Sequence, residues 1–139
     1  MVQTTSPHLL ALDLGDKRVG VATANTATMM ASPLTTLDND EILMVNLAKL
    51  VEEYQVQLLV IGLPRSLSGQ DSAQTVKARE TIDQITKELG IKTVMQDEAL
   101  SSLRAEEELK SRGKIFAKAD VDKLAACLIL EDYIQGLGE

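Results

Sequence analysis

Residues 9–14, Leu-Leu-Ala-Leu-Asp-Leu, put one ionisable carboxylate, Asp13, inside an apolar run. A strand of this composition is buried on both faces, and such a strand carries a charge only when something holds it. Backbone donors, a basic partner or a metal ion can do so. A buried carboxyl has its pKa raised by desolvation, which is also a mark of functional sites. Gly15 supplies the backbone freedom for a turn, Asp16 and Lys17 are turn-compatible, and Arg18–Ala22 reads as a second strand returning antiparallel to the first.

The rest of the chain supplies helices to cover that hairpin. Residues 26–37 read as a third strand, placed at a sheet edge by Pro33. Asp38, with Glu41 three positions on, marks a helix start, and Leu43, Leu47, Leu50, Val51 and Tyr54 then recur at helical spacing over about 40–54. Gln57–Ile61 is a short β-rich run ending at Gly62-Leu63-Pro64. Ser72 can cap a helix whose apolar side is Val76, Ile82, Ile85 and Leu89, closed by Gly90. Ile91–Met95 forms a fifth strand that runs into Asp97 and Glu98. A helix then starts at Ser101 or Ser102, anchored by Leu103 and Leu109 and ending near Gly113. Asp120 can cap the last helix, in which Val121, Leu124, Ala125, Leu128 and Ile129 form a wide apolar face. Right-handed crossovers make strands four and five parallel to strand one, in a mixed α/β sheet flanked by helices.

With 139 residues the chain is one domain, 1–139, large enough for a real core. The net charge of −7 argues against a broadly basic nucleic-acid surface, since phosphate neutralisation supplies most non-specific affinity. A local basic arm stays open, because residues 109–119 hold Lys110, Arg112, Lys114 and Lys118 with no acid. Aromatic residues are 2% of the chain, too few for a platform that stacks unpaired bases. The start, MVQTTSPH, lacks the features of a secretory signal, and apolar stretches such as 125–130 are too short to span a bilayer. A cytoplasmic protein with no membrane partner is expected. Cys127 reads as a core thiol, and His8 as an exposed residue near a flexible start.

In the predicted sheet the C-terminal ends of strands one, four and five share one edge, where ligand sites gather in α/β folds. Asp13, Asp97 with Glu98, and Asp122 fall at that edge, with Asp122 expected in the first turn of the last helix. Converging carboxylates repel and call for a hard divalent cation, Mg²⁺ or Mn²⁺. No His or Cys cluster offers zinc, and no Ser, His and acid set offers a covalent nucleophile. Carboxylates holding two ions suit hydrolysis of a phosphodiester.

LALDLGDKRVGVA, VIGLPRSLSGQ, QDEALSS and VDKLAACLIL, in this order, resemble the YqgF/RuvX family over nearly the whole chain. The resemblance implies an RNase H-like fold and a cytoplasmic nuclease, either processing the 5′ end of pre-16S ribosomal RNA or resolving Holliday junctions. It also implies metal binding and catalysis by Asp13, Glu98 and Asp122. Lys17, Arg18, Arg65, Ser66 and Arg104 are the candidates for holding substrate phosphates, and Arg18 reads equally as a cap on the hairpin. The chain departs from the family pattern at Ala99, where an arginine is usual, and at Ser66, where an asparagine is. With the strands in the order 3-2-1-4-5, Glu98 has to reach across two strand spacings of about 4.8 Å to join Asp13.

Two other classes stay open. Asp-Leu-Gly followed by a Gly-Val-Ala strand also resembles the phosphate hairpin of actin-like ATPases, although this chain carries only one copy and one domain. A binding module that keeps the fold without the chemistry is the other. Nothing in the sequence indicates an oligomeric state.

Overall fold

The computed structural model describes residues 7–64, 73–98, 101–113 and 116–137. β1 (His8–Leu14), β2 (Arg18–Asn25) and β3 (Ala31–Asp38) are followed by α1 (Leu43–Glu53), β4 (Val56–Pro64), α2 (Ala73–Leu89), β5 (Lys92–Glu98), α3 (Ser101–Ser111) and α4 (Lys118–Leu137). The five strands form one sheet in the order β3-β2-β1-β4-β5. β1–β2 and β2–β3 pair antiparallel, whereas β1–β4 and β4–β5 pair parallel. The mixed sheet expected from the sequence is therefore the one observed.

Alternation along the central strands divides the core into two layers. Leu10, Leu12 and Leu14 of β1 join Leu43 and Leu47 of α1 and Ile82 and Ile85 of α2 on one face. Leu9 and Ala11 join Ala105 and Leu109 of α3 and the buried run of α4 on the other. Both faces of β1 are covered, which accounts for its near-continuous apolar composition.

α4 lies close against the sheet because small residues line its path. Ala11, Ala22 and Ala24 pack in its layer, and two glycines extend that surface. A Cβ on Gly20 would come within 1.9 Å of the Asp122 carbonyl oxygen, and one on Gly62 within 2.3 Å of Ile129 Cδ1. Residues 124–130 of α4 are all buried, as expected of a helix pressed between the sheet and α3.

Several local expectations are corrected. β3 starts at Ala31 rather than at residue 26, because Asn25 Oδ1 accepts from Ala27 N and Met29 adopts φ 55°, turning the chain first. α1 starts at Leu43, not near 40, and Asp38 does not cap it; the Asp40 carboxylate accepts from Ile42 N instead. α3 is anchored by Ala105 and Leu109, while Leu103 is half exposed. α4 begins at Lys118, and Asp120 reaches back from its first turn to accept from Ala117 N at 3.0 Å. His8 belongs to β1, partly buried with its ring edge-on to Tyr54, rather than to a loose terminus. The Ser72 cap lies outside the described residues.

Candidate active site

The site grows from one row across the sheet. Asp13 pairs with Gly20 on β2 and with Gly62 on β4, and Gly62 pairs in turn with Gln96 on β5. Asp13 is one residue from the C-terminal end of β1. It follows Leu9 and Ala11 in phase, which puts it on the face that α4 covers. Its flanking partners in the row are both glycines, so neither contributes a side chain between Asp13 and the helix.

α4 delivers the second acid. The close approach at Gly20 brings the backbone of Asp122 onto β2 beside Asp13. Because α4 begins at Lys118, three residues before the start that an Asp120 cap would set, Asp122 is the fifth helical residue, in the second turn rather than the first. The helix dipole therefore contributes less to its charge than the sequence implies, since that effect fades beyond the first turn. Arg18, at the start of β2, supplies the compensation: its Nε donates to Asp122 Oδ2 at 2.6 Å.

The two acids are electrostatically linked. Burial, and then the Asp122 charge, push the Asp13 carboxyl from its ordinary 3.8 up to about 6. This is the raised value that an acid in an apolar strand implies. Arg18 is the one basic side chain that the described residues place in an ion pair with either acid.

Glu98 closes β5, where it pairs with Pro64, the last residue of β4. It is two positions beyond Gln96 and so shares the parity of the Asp13–Gly62–Gln96 row, whereas Asp97 does not. The side chains of Asp97 and Glu98 are outside the described residues, as are Arg65, Ser66 and Ala99. Lys17 is exposed in the β1–β2 turn, its carbonyl accepting from Asn39 N. Arg104 pairs at 2.9 Å with Asp132, ten residues along α4 from Asp122. That is about 15 Å of helix rise.

The donors present suit a hard divalent cation, because Asp13 and Asp122 offer only oxygen and one of them is held in a setting that disfavours an uncompensated charge. Among the described residues no group of three or more His, Cys, Asp or Glu side chains forms a complete metal cluster. Asp13 and Asp122 would be two of the ligands. Sequence reasoning missed Gly20 and Gly62 as the contacts that seat α4, and the ion pair by which Arg18 reaches Asp122. The Gly20-Val21 dipeptide in a strand was the available signal for the first, since glycine inside a strand marks close backbone approach.

The RuvX family profile, described as Holliday junction resolvase, matches residues 7–136. The chain belongs to that family. Relatives from Fusobacterium nucleatum and Nitrosospira multiformis are each 36% identical to it, over 90% and 94% of this chain and 94% and 91% of their own length. A Chloroflexus aurantiacus relative is 35% identical over 91% of this chain and 85% of its own. All three carry the name "Putative pre-16S rRNA nuclease". Among solved structures, Thermus thermophilus RuvC superposes with a TM-score of 0.57 at 12% identity, covering 94% of this chain and 96% of that one. Fowlpox virus resolvase with Holliday junction DNA superposes at 0.53 and 10% identity, covering 95% and 99%. These likenesses establish the RNase H-like fold of this RuvX family member. No described helix is long and apolar enough to cross a membrane.

Proposed function

We propose that this RuvX family member is a metal-dependent endonuclease that trims the 5′ end of pre-16S ribosomal RNA in the cytoplasm, with residues 1–139 acting as one catalytic domain. The observation that carries the reading is the placement of Asp122 beside Asp13: its backbone packs onto Gly20, the β2 partner of Asp13, so acids from distant parts of the chain share one sheet edge. The names of the relatives supply the substrate.

Asp13, Asp122 and Glu98 would hold Mg²⁺ or Mn²⁺, and a pair of such ions supplies nucleophile activation and charge stabilisation at a phosphodiester. Asp13 works as its ionised form, which its raised pKa makes available above about pH 6. Pairing of β1 with β2 and β4 fixes the Asp13 backbone, and in the metal-free chain Arg18 pairs with the Asp122 carboxylate. Lys17 and Arg18 on the hairpin, with Arg65 and Ser66 after β4, are assigned to phosphates of the bound strand.

A second reading, resolution of four-way DNA junctions, is favoured by the description of the family itself. Incubating the protein with a precursor ribosomal RNA fragment and with a synthetic four-way junction, each with Mn²⁺ or Mg²⁺, separates the two. Metal-dependent cutting of the RNA near the mature 5′ end supports the first reading, and paired nicks in the junction support the second. Binding of either without cutting would assign the chain to the non-catalytic class.

A further inference from the structure

Asp122 has two electrostatic neighbours of opposite sign. Its charge raises the Asp13 carboxyl, and its Oδ2 accepts from Arg18 Nε at 2.6 Å. Arg18 engages it through that one donor of the five that a guanidinium carries. The two terminal nitrogens make no hydrogen bond among the described residues, and the Arg18 side chain is 34% exposed. A resident positive charge thus sits on one of the two acids proposed to hold a divalent ion, with most of its donors uncommitted.

We infer that Arg18 is a counter-ion that competes with the divalent metal for Asp122, and that a phosphate of the bound strand promotes metal loading by drawing the guanidinium away. The inference rests on the nuclease reading above and deepens it by giving the site a loading order. Its physical basis is local. In the free protein Arg18 offsets the charge of Asp122 and repels a second cation approaching the same carboxylate. The guanidinium fork matches a phosphate bidentately, and at a phosphate it can use the donors left idle at Asp122. Each exchange favours the other: a strand that takes Arg18 leaves Asp122 to the metal, and metal at Asp122 frees Arg18 for the strand. Such coupling is reciprocal and is typically worth about fivefold or more in affinity.

The test is Mn²⁺ binding to the full chain by calorimetry, first alone and then with a short 2′-O-methyl oligoribonucleotide as the phosphate-bearing probe, after titration of the probe by itself. Wild type, Arg18→Gln and Asp13→Asn are compared, with thermal melts to confirm that each is folded. The expected result is that Arg18→Gln binds Mn²⁺ about fivefold or more tighter than wild type in the absence of the probe. The probe should tighten Mn²⁺ binding to wild type by a similar factor and leave Arg18→Gln unchanged. Equal or weaker Mn²⁺ binding by Arg18→Gln would overturn the inference and make Arg18 only an orienting partner of Asp122. Should that variant not fold, wild-type Mn²⁺ affinity that does not respond to the probe overturns it equally. Failure of the nuclease reading is distinct, because it appears as Mn²⁺ binding that is absent or indifferent to Asp13→Asn.

Discussion

Gly20 of β2 lies directly under the Asp122 carbonyl of α4, so close that a single added methyl would come within 1.9 Å of that oxygen. The obstacle is backbone, on a helix that buries Val121 and residues 124–130 in the core, and neither element can yield alone. Gly20→Ala is therefore expected to cost about 2–3 kcal/mol or more, the upper range for overpacking. It should also lift Asp122 away from Asp13, so residual activity should fall further than stability does. Denaturant melts and a cleavage assay on the same preparation check this; a variant within 0.5 kcal/mol of wild type, roughly the noise of a neutral surface change, would contradict it.

Gly62 is a milder case of the same packing. Its added methyl would meet Ile129 Cδ1, the far end of a side chain, at 2.3 Å. Gly62→Ala should thus destabilise less than Gly20→Ala. Ile129→Val removes the clashing methyl, and the double variant Gly62→Ala/Ile129→Val should be more stable than the sum of the two single losses by about 1 kcal/mol. Strict additivity in urea melts would show that the two residues are not in contact as described.

Asp13 makes the fold less stable at the pH where the protein works. Its folded value of about 6 lies above the ordinary 3.8, so the folded chain holds the proton more tightly than the unfolded chain. The stabilising contribution is fully present below the ordinary value and is lost as pH rises through about 6. The difference corresponds to about 3 kcal/mol. In metal-free buffer Asp13→Asn should therefore be more stable than wild type at pH 7.5 by roughly 2–3 kcal/mol, and the gain should shrink to near zero by about pH 4. A gain that does not vary with pH would contradict the burial of Asp13.

Cys127 should be inert in the folded protein. It is 3% exposed, and burial, followed by the hydrogen bond and charge of Glu131 one helical turn on, pushes its thiol up to about 12. The nucleophilic thiolate is thus scarce at neutral pH. Intact-mass analysis after iodoacetamide at pH 8 should show no adduct on the native chain and one on the urea-unfolded chain; native alkylation would contradict it.

The strand and helix pattern was legible because it rests on local periodicity, whereas the sheet order followed from crossover handedness and the family resemblance. The apolar run around Asp13, the recurrence of Leu43, Leu47 and Leu50, and the edge mark of Pro33 each report an environment within a few residues. Boundaries were less legible where a side chain makes an unanticipated local bond: Asn25 delays β3, and Asp120 starts α4 early by reaching back to Ala117. Among the candidate site residues, Asp13 and Asp122 were readable as acids at one sheet edge. The ion pair of Asp122 with Arg18, 104 positions away, depends on how α4 is seated against β2, and no sequence period encodes that contact. Arg104 shows the converse, a basic residue near an acidic motif whose partner, Asp132, is set by the packing of α3 on α4.

Asp13 and Asp122 are proposed to form the core of a metal-dependent hydrolytic centre. Its most direct measurement is the Mn²⁺-dependent cleavage rate of a pre-16S RNA 5′ fragment by wild type, Asp13→Asn and Asp122→Asn, each shown folded by its melt. Wild type should cut and stop on chelation with EDTA, and each variant should lose about a hundredfold or more, as expected for groups at the metal rather than behind it. Cutting that survives either substitution, or that persists in EDTA, would contradict it.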